Sequence, residues 1–246
     1  MQDLISQISR HLRTVAEVQN VALETGLLPL VKSLQKWQTL RMQATHQALL
    51  NDPHHAPALR FFVEQIYGPQ NFGQRDADIV RVVPKMHKYM PDKALSSLAS
   101  ALRLQALSFE LDYAVAVKLK EQATSRLILI DRQSYAQAYL AGDNLLLRQE
   151  QIALLNTLGV NLRDAVAVKG VTLMLALSKH PAKVKGLHTL HQFLQSGFKA
   201  FKRIPNSELF MQDIVTKEQR LMSLLFAQRG GNPLPYVPNT EITLET

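Results

Sequence analysis

The chain has no cysteine among its 246 residues. That removes disulfides, thiolate nucleophiles, iron–sulfur clusters and cysteine-based zinc sites together. Glycine and proline are scarce, at 10 and 11, and aromatics make up only 7%. Leu, Ala, Gln, Val and Lys dominate instead, a composition that favours helix over sheet. Long apolar runs are missing too. The longest, Leu127–Ile130 and Val171–Leu177, fall far short of the roughly 20 residues needed to span a bilayer. The N-terminal "MQDLISQISRHLRTVAEVQ" has no basic segment followed by an apolar one, so no signal peptide is read there. The expectation is a soluble, cytoplasmic chain without a membrane span.

Acidic residues are the minority charge. Twenty Asp and Glu stand against 28 Lys and Arg, a net charge of +8. Such a balance admits an anionic ligand or nucleic acid, but +8 over this length also describes an ordinary solvated surface. Phosphate-cradling motifs are absent: no Gly-x-Gly-x-x-Gly and no Gly-x-x-x-x-Gly-Lys-Ser/Thr occurs, and no Gly-x-Ser-x-Gly. No glutamate has a histidine three residues on, so the standard di-iron bundle pattern fails. His188 and His191 share a helix face but have no nearby carboxylate, an incomplete metal site. A haem would need one histidine, and His11 between Arg10 and Arg13 is thin support. The sequence therefore gives no metal site and no cofactor.

What is present is helical periodicity. Leu4, Ile5, Ile8, Leu12, Val15 and Val18 recur at three- and four-residue steps over about 2–25, before Gly26 and Pro29. Further helices are predicted at about 30–50, 57–67, 74–89 and 92–124. The last carries the broadest apolar stripe and is the candidate central helix. More follow at about 132–141, 144–158, 160–179, 181–203 and 207–228. The run "RLILID" resembles a strand, but it has no partner of similar composition and is read as helix or turn. Residues 229–246 read as an extended or mobile tail. The fold class is all-α: a single compact bundle of about nine or ten helices over 1–228.

Two segments carry candidate function. From Ser178 to Ile204 no acid interrupts Lys179, Lys183, Lys199, Lys202 and Arg203, a basic face able to meet phosphate. "RFFVEQIYGPQNFGQRDADIVRVVP" (60–84) stops one helix at Gly68-Pro69 and starts another with Arg75, Asp76, Asp78 and Arg81. The helix dipole and i,i+3 pairing account for these charges as a helix start. If the two helices fold back on each other, Glu64, Tyr67, Arg75, Asp76 and Arg81 converge. Gln105, Ser108 and Asp112 on the central helix would complete a polar pocket or a structural ion network.

These segments, with "ALSFELD" (106–112) and "HPAKVKGLHTLHQFLQSGFKAFKRI" (180–204), resemble a family of uncharacterised bacterial, proteobacterial helical proteins. That family shows Phe-Phe, Tyr-Gly-Pro, Phe and Arg-Asp, then a Pro-Ala, Gly-Leu, Phe-Leu, Gly-Phe and Phe block. The resemblance implies a mostly helical protein and carries over no activity. The leading reading is a non-catalytic binding or regulatory protein, acting with a protein partner or as a homo-oligomer. The alternative is a helical enzyme or carrier with an internal pocket for an apolar or haem-like ligand. A second alternative is a nucleic-acid accessory protein using the 179–203 face.

Overall fold

Thirty-one residues, Asp92–Gln122, form one unbroken helix about 46 Å long at 1.5 Å per residue. Around it, the computed structural model describes residues 2–86, 91–228 and 231–244. The elements are α1 (Gln2–Glu24), α2 (Leu28–Thr45), α3 (Gln47–Asn51), α4 (Ala56–Arg60), a π-helical segment (Phe61–Tyr67), α5 (Gly73–Met86) and α6 (Asp92–Gln122). Strand β1 (Leu127–Ile130) follows, then α7 (Arg132–Ala141), α8 (Leu145–Ala167), α9 (Val171–Leu177), α10 (Lys179–Val184), α11 (His188–Lys202), α12 (Ser207–Ala227) and β2 (Thr240–Thr243). The fold is all-α, with α6 packed principally between α1 and α8, and α12 on α8. The predicted end of the fourth helix, 87–89, lies outside the described residues, as do 229–230 and 245–246 of the tail.

The broad stripe of α6 is explained by two cores. Its first half packs Leu95, Leu98 and Leu102 with Ile8, Phe62, Ile79, Phe201 and Phe210. Its second half packs Phe109, Val115 and Leu119 with Leu30, Leu34, Trp37, Ile130 and Tyr135. Gln105, Ser108 and Asp112 are all buried and sit on α6 where one core gives way to the other. A polar seam between two apolar clusters is where a buried site must be built, because its groups need partners there.

Four local expectations are corrected. "RLILID" is a strand, not helix or turn. Leu127–Ile130 pairs antiparallel with Thr240–Thr243, Leu127 opposite Thr243. The partner comes from the far end of the chain and is polar, so composition did not reveal it. Alternation puts Ile128 and Ile130 inward while Leu127 and Leu129 face out. Gly159 does not end a helix either; α8 runs through it, and a Cβ there would stand 2.2 Å from Met211 Cγ. The glycine is a contact point between α8 and α12. The real break comes at Gly170 (φ 90°), and a second divides α10 from α11 at Gly186 (φ 65°). Finally, the predicted 30–50 helix is interrupted at His46, which separates α2 from α3.

Candidate functional site

The stretch joining the π-helical segment to α5 does not form one pocket. Arg75 is buried, and its guanidinium is shared out completely. Nη1 donates to the Gln65 carbonyl at 2.8 Å, Nε and Nη2 reach Asp76 Oδ1 at 2.9 and 2.7 Å, and Nη2 reaches Gln105 Oε1 on α6. Phe72 and Phe193 stack on it, 4.2 and 4.8 Å from ring centroids. The group ties α5, α6, α11 and the π-helical segment together. Arg81 points elsewhere: Nη2 donates to the Gly186 carbonyl at 2.9 Å and to buried Asp78 at 3.3 Å. Glu64 shares an outer groove with Arg75, together with Arg60, Lys199 and Arg203. Lys179 and Lys183 sit on α10 instead, and Lys202 donates to Thr172 Oγ1 at 3.3 Å. The basic residues are therefore divided between two surfaces.

Tyr67 and Asp112 meet in a different place, an inner cavity of about 110 Å³. The π-helical segment and Gly68 aim Tyr67 at it. At Gly68 (φ 20°) a Cβ would stand 3.0 Å from the Glu64 carbonyl oxygen, so the turn requires glycine. Gln38 and Arg41 enter from the C-terminal part of α2, His46 from the break after it, Tyr135 and Tyr139 from α7, Arg148 and Gln151 from α8, and Glu218 from α12. Leu59, Phe62, Ile66, Leu104 and Met222 form the apolar wall.

One side of this cavity is a connected network of charged and polar groups. Arg41 Nη1 donates to both Glu218 oxygens at 2.6 and 2.7 Å, and its Nε to Gln38 Oε1 at 2.9 Å. Gln38 in turn donates to the Tyr135 hydroxyl. His46 Nε2 lies 2.9 Å from Glu218 Oε1. Burial pushes the Glu218 carboxyl up, but Arg41 and His46 outweigh it and hold it down at about 2. A carboxylate only accepts hydrogen bonds, so His46 Nε2 carries the proton, and its buried Nδ1 has no partner among the described residues.

The other side is under-paired. Arg148 is 4% exposed. Its hydrogen bonds are long: Nη1 to Gln151 Oε1 at 3.3 Å and Nη2 to the Leu111 carbonyl at 3.5 Å. Its Nε has no partner among the described residues, and its face lies 4.3 Å above the Tyr139 ring. No carboxylate of the described residues is within ion-pair distance of it. Asp112 is 1% exposed, accepts from Gln35 Nε2 at 3.3 Å and interacts with the Tyr67 hydroxyl. Burial raises its carboxyl to about 6, against the opposing pull of Arg148, Tyr67, Gln35 and Arg41. Burial, together with Asp112, drives Tyr67 well above the usual phenol range. Tyr67 therefore keeps its proton, and its hydroxyl sits beside Asp112 without hydrogen-bond geometry to any partner.

Of the residues lining this cavity, the sequence reading names Tyr67, Ser108 and Asp112 but not Arg41, His46, Tyr135, Tyr139, Arg148 and Glu218. A signal existed for three of these. Arg148 sits in the apolar stripe with Ile152 and Leu155, Glu218 in the stripe with Ile214 and Met222, and Arg41 after Leu30, Leu34 and Trp37. A charge at a core position of a helix is expensive unless something meets it. Among the described residues no group of histidines and carboxylates is placed to hold a metal ion. His11 lines none of the cavities described, and no described helix is long and apolar enough to cross a membrane.

Fold and site together define an all-helical protein with a charged, tyrosine-rich cavity inside its bundle. The chain belongs to the family described as a domain of unknown function (DUF8198), whose model matches residues 17–231. No curated protein and no solved structure matches it.

Proposed function

We propose that the protein binds a small organic carboxylate in the inner cavity, with Arg148 and Tyr67 as its anchors. The observation that carries this is Arg148: a buried cation with two long hydrogen bonds, an unpartnered Nε and no carboxylate in contact. Burying a charge is costly unless it is paired, and an anion entering beside it supplies the missing partner. Tyr67 offers a second donor, since burial keeps its phenol protonated. Size sets the class. A cavity of about 110 Å³ compares with about 150 Å³ for one that holds benzene, so acetate or propionate fits. The apolar wall receives the alkyl part.

Asp112 couples this binding to pH. Its carboxyl is raised to about 6, and a bound anion nearby disfavours its ionised form further. Affinity for a carboxylate therefore rises as pH falls from 7.5 to 5. The role is binding or regulation by a small acid. A second reading, acid–base chemistry on the bound acid, is favoured by the same Asp112 together with the unpartnered Nδ1 of His46.

The test is thermal unfolding with propionate, acetate and the neutral propionamide, for the wild type and Arg148→Met at pH 5.5. Propionate should raise the melting temperature of the wild type alone, and propionamide that of neither. Equal stabilisation of both proteins by propionate, or none of either, would refute the reading.

A further inference from the structure

A second, far larger and less polar cavity lies along the N-terminal half of α6. It has a volume of about 660 Å³, within the range of about 300–1,000 Å³ of small-molecule sites. Leu98 and Ala101 of α6, Leu158 and Leu162 of α8, and Phe193 and Phe198 of α11 are typical of its lining. Its polar groups are few. Ser97 donates to the Lys93 carbonyl, Ser178 to the Leu175 carbonyl, and His191 is engaged with the Leu175 carbonyl at 2.8 Å. Among the described residues no Asp or Glu lines it, whereas Arg81 and Lys185 do, and both are exposed. The site is therefore an apolar interior with two cations where it meets solvent.

Its cover is distinct from the rest of the bundle. Helices α9 and α10 place Val171, Met174, Leu175 and Ala182 over the cavity. They are bounded by Gly170 (φ 90°) and Gly186 (φ 65°), two turns in the left-handed region. Their outer side is apolar too: Leu173, Leu177 and Val184 are 61%, 68% and 72% exposed. Arg81 Nη2, from α5, holds the Gly186 carbonyl at the turn after α10. One of the two rim cations is thus also one of the contacts that fasten the cover, beside His191 and Lys202.

We propose that this cavity takes a long-chain fatty acid, its chain among the leucines and phenylalanines and its carboxylate at Arg81 and Lys185. Charge complementarity decides the head group. Two cations with no acid in the lining select an anion over a neutral or cationic amphiphile; the one nearby acid, Asp78, is buried on α5 beneath Arg81. Volume and lining decide the tail. An apolar wall gains from apolar contact and has almost no hydrogen bonds to give. The site meets the inner cavity at Ile66, which lines both, but shares no polar residue with it and does not depend on it.

The experiment uses the full chain and the fluorescence of dansyl-undecanoate, displaced by palmitate, hexadecanol or hexadecylamine. Palmitate should displace the probe best. In the double variant Arg81→Gln/Lys185→Glu its affinity should fall about tenfold, while that of hexadecanol stays within about twofold. Leu162→Trp, which narrows the cavity, should weaken probe binding while circular dichroism stays helical. If Leu162→Trp does not fold, the rim variant alone decides. Failure of the wild type to bind the probe, equal displacement by palmitate and hexadecylamine, or unchanged palmitate affinity in the rim variant would each overturn the proposal.

Discussion

Asp112→Asn makes the electrostatics of the inner cavity measurable. The Asp112 carboxyl is raised from 3.8 to about 6 because the group is buried, and Arg148 only partly offsets this. Below about pH 4 it holds its proton whether the chain is folded or not, and the group is neutral to stability. Between about 4 and 6 only the folded chain keeps the proton. Above about 6 folding must accept a buried charge it disfavours. Stability from this group is therefore fully present below 3.8 and is lost as pH rises through about 6. Two units at about 1.4 kcal/mol each amount to about 3 kcal/mol. Asparagine keeps the volume and an acceptor for Gln35 but cannot ionise. In urea unfolding followed by circular dichroism, the variant should match the wild type at pH 4 and exceed it by about 3 kcal/mol at pH 7.5. Every other titrating group is common to the two proteins, so the pH trend of their difference isolates Asp112. A difference that stays flat, or that favours the wild type as pH rises, would refute the reasoning.

The remaining predictions concern neighbouring groups. Glu218→Gln should cost about 3 kcal/mol at pH 7 by leaving Arg41 buried without its carboxylate, and the loss should vanish as pH falls towards 2, where wild-type Glu218 protonates. Arg75→Ala should cost about 3 kcal/mol in chemical unfolding, because it removes a buried charge bonded to three elements; Arg81→Ala, whose side chain is 56% exposed, should cost under about 1 kcal/mol. Gly197→Ala should cost about 1–3 kcal/mol by overpacking, since its Cβ would stand 2.6 Å from Phe61 Cζ. Replacing Lys199, Lys202 and Arg203 together by alanine should leave heparin retention near the wild-type value; a steep fall would support nucleic-acid binding instead.

The helices were legible because their signals are local. The stripe of α1 and the stop at Gly68 each reside within a few residues of the element they define. The β1–β2 pair was not legible, because its two strands lie more than a hundred residues apart and only one is apolar. Glycine misled in one place: Gly159 serves contact with Met211, whereas Gly170 and Gly186 make the true turns. In the site, Tyr67 was visible at a helix stop and Asp112 as one of three polar residues sharing a side of the central helix. Grouping them with Arg75 and Arg81 followed chain proximity. The structure instead sends Arg75 into a paired contact between helices and Arg81 to the rim of the outer cavity. Arg148 and Glu218 come from helices distant in sequence, and only folding brings them to Asp112.

The central claim rests on Arg148 being kept for an anion rather than for stability. Calorimetric titration of propionate into the wild type and Arg148→Met at pH 5 tests it most directly, with urea unfolding of both proteins alongside. Replacing an under-paired buried cation by an apolar side chain of similar size should leave stability unchanged or raise it by about 1–4 kcal/mol. The account predicts that outcome together with at least a tenfold loss of propionate affinity, about 1.4 kcal/mol. Equal affinity in the two proteins, or a variant that loses several kcal/mol of stability without any change in propionate binding, would contradict it.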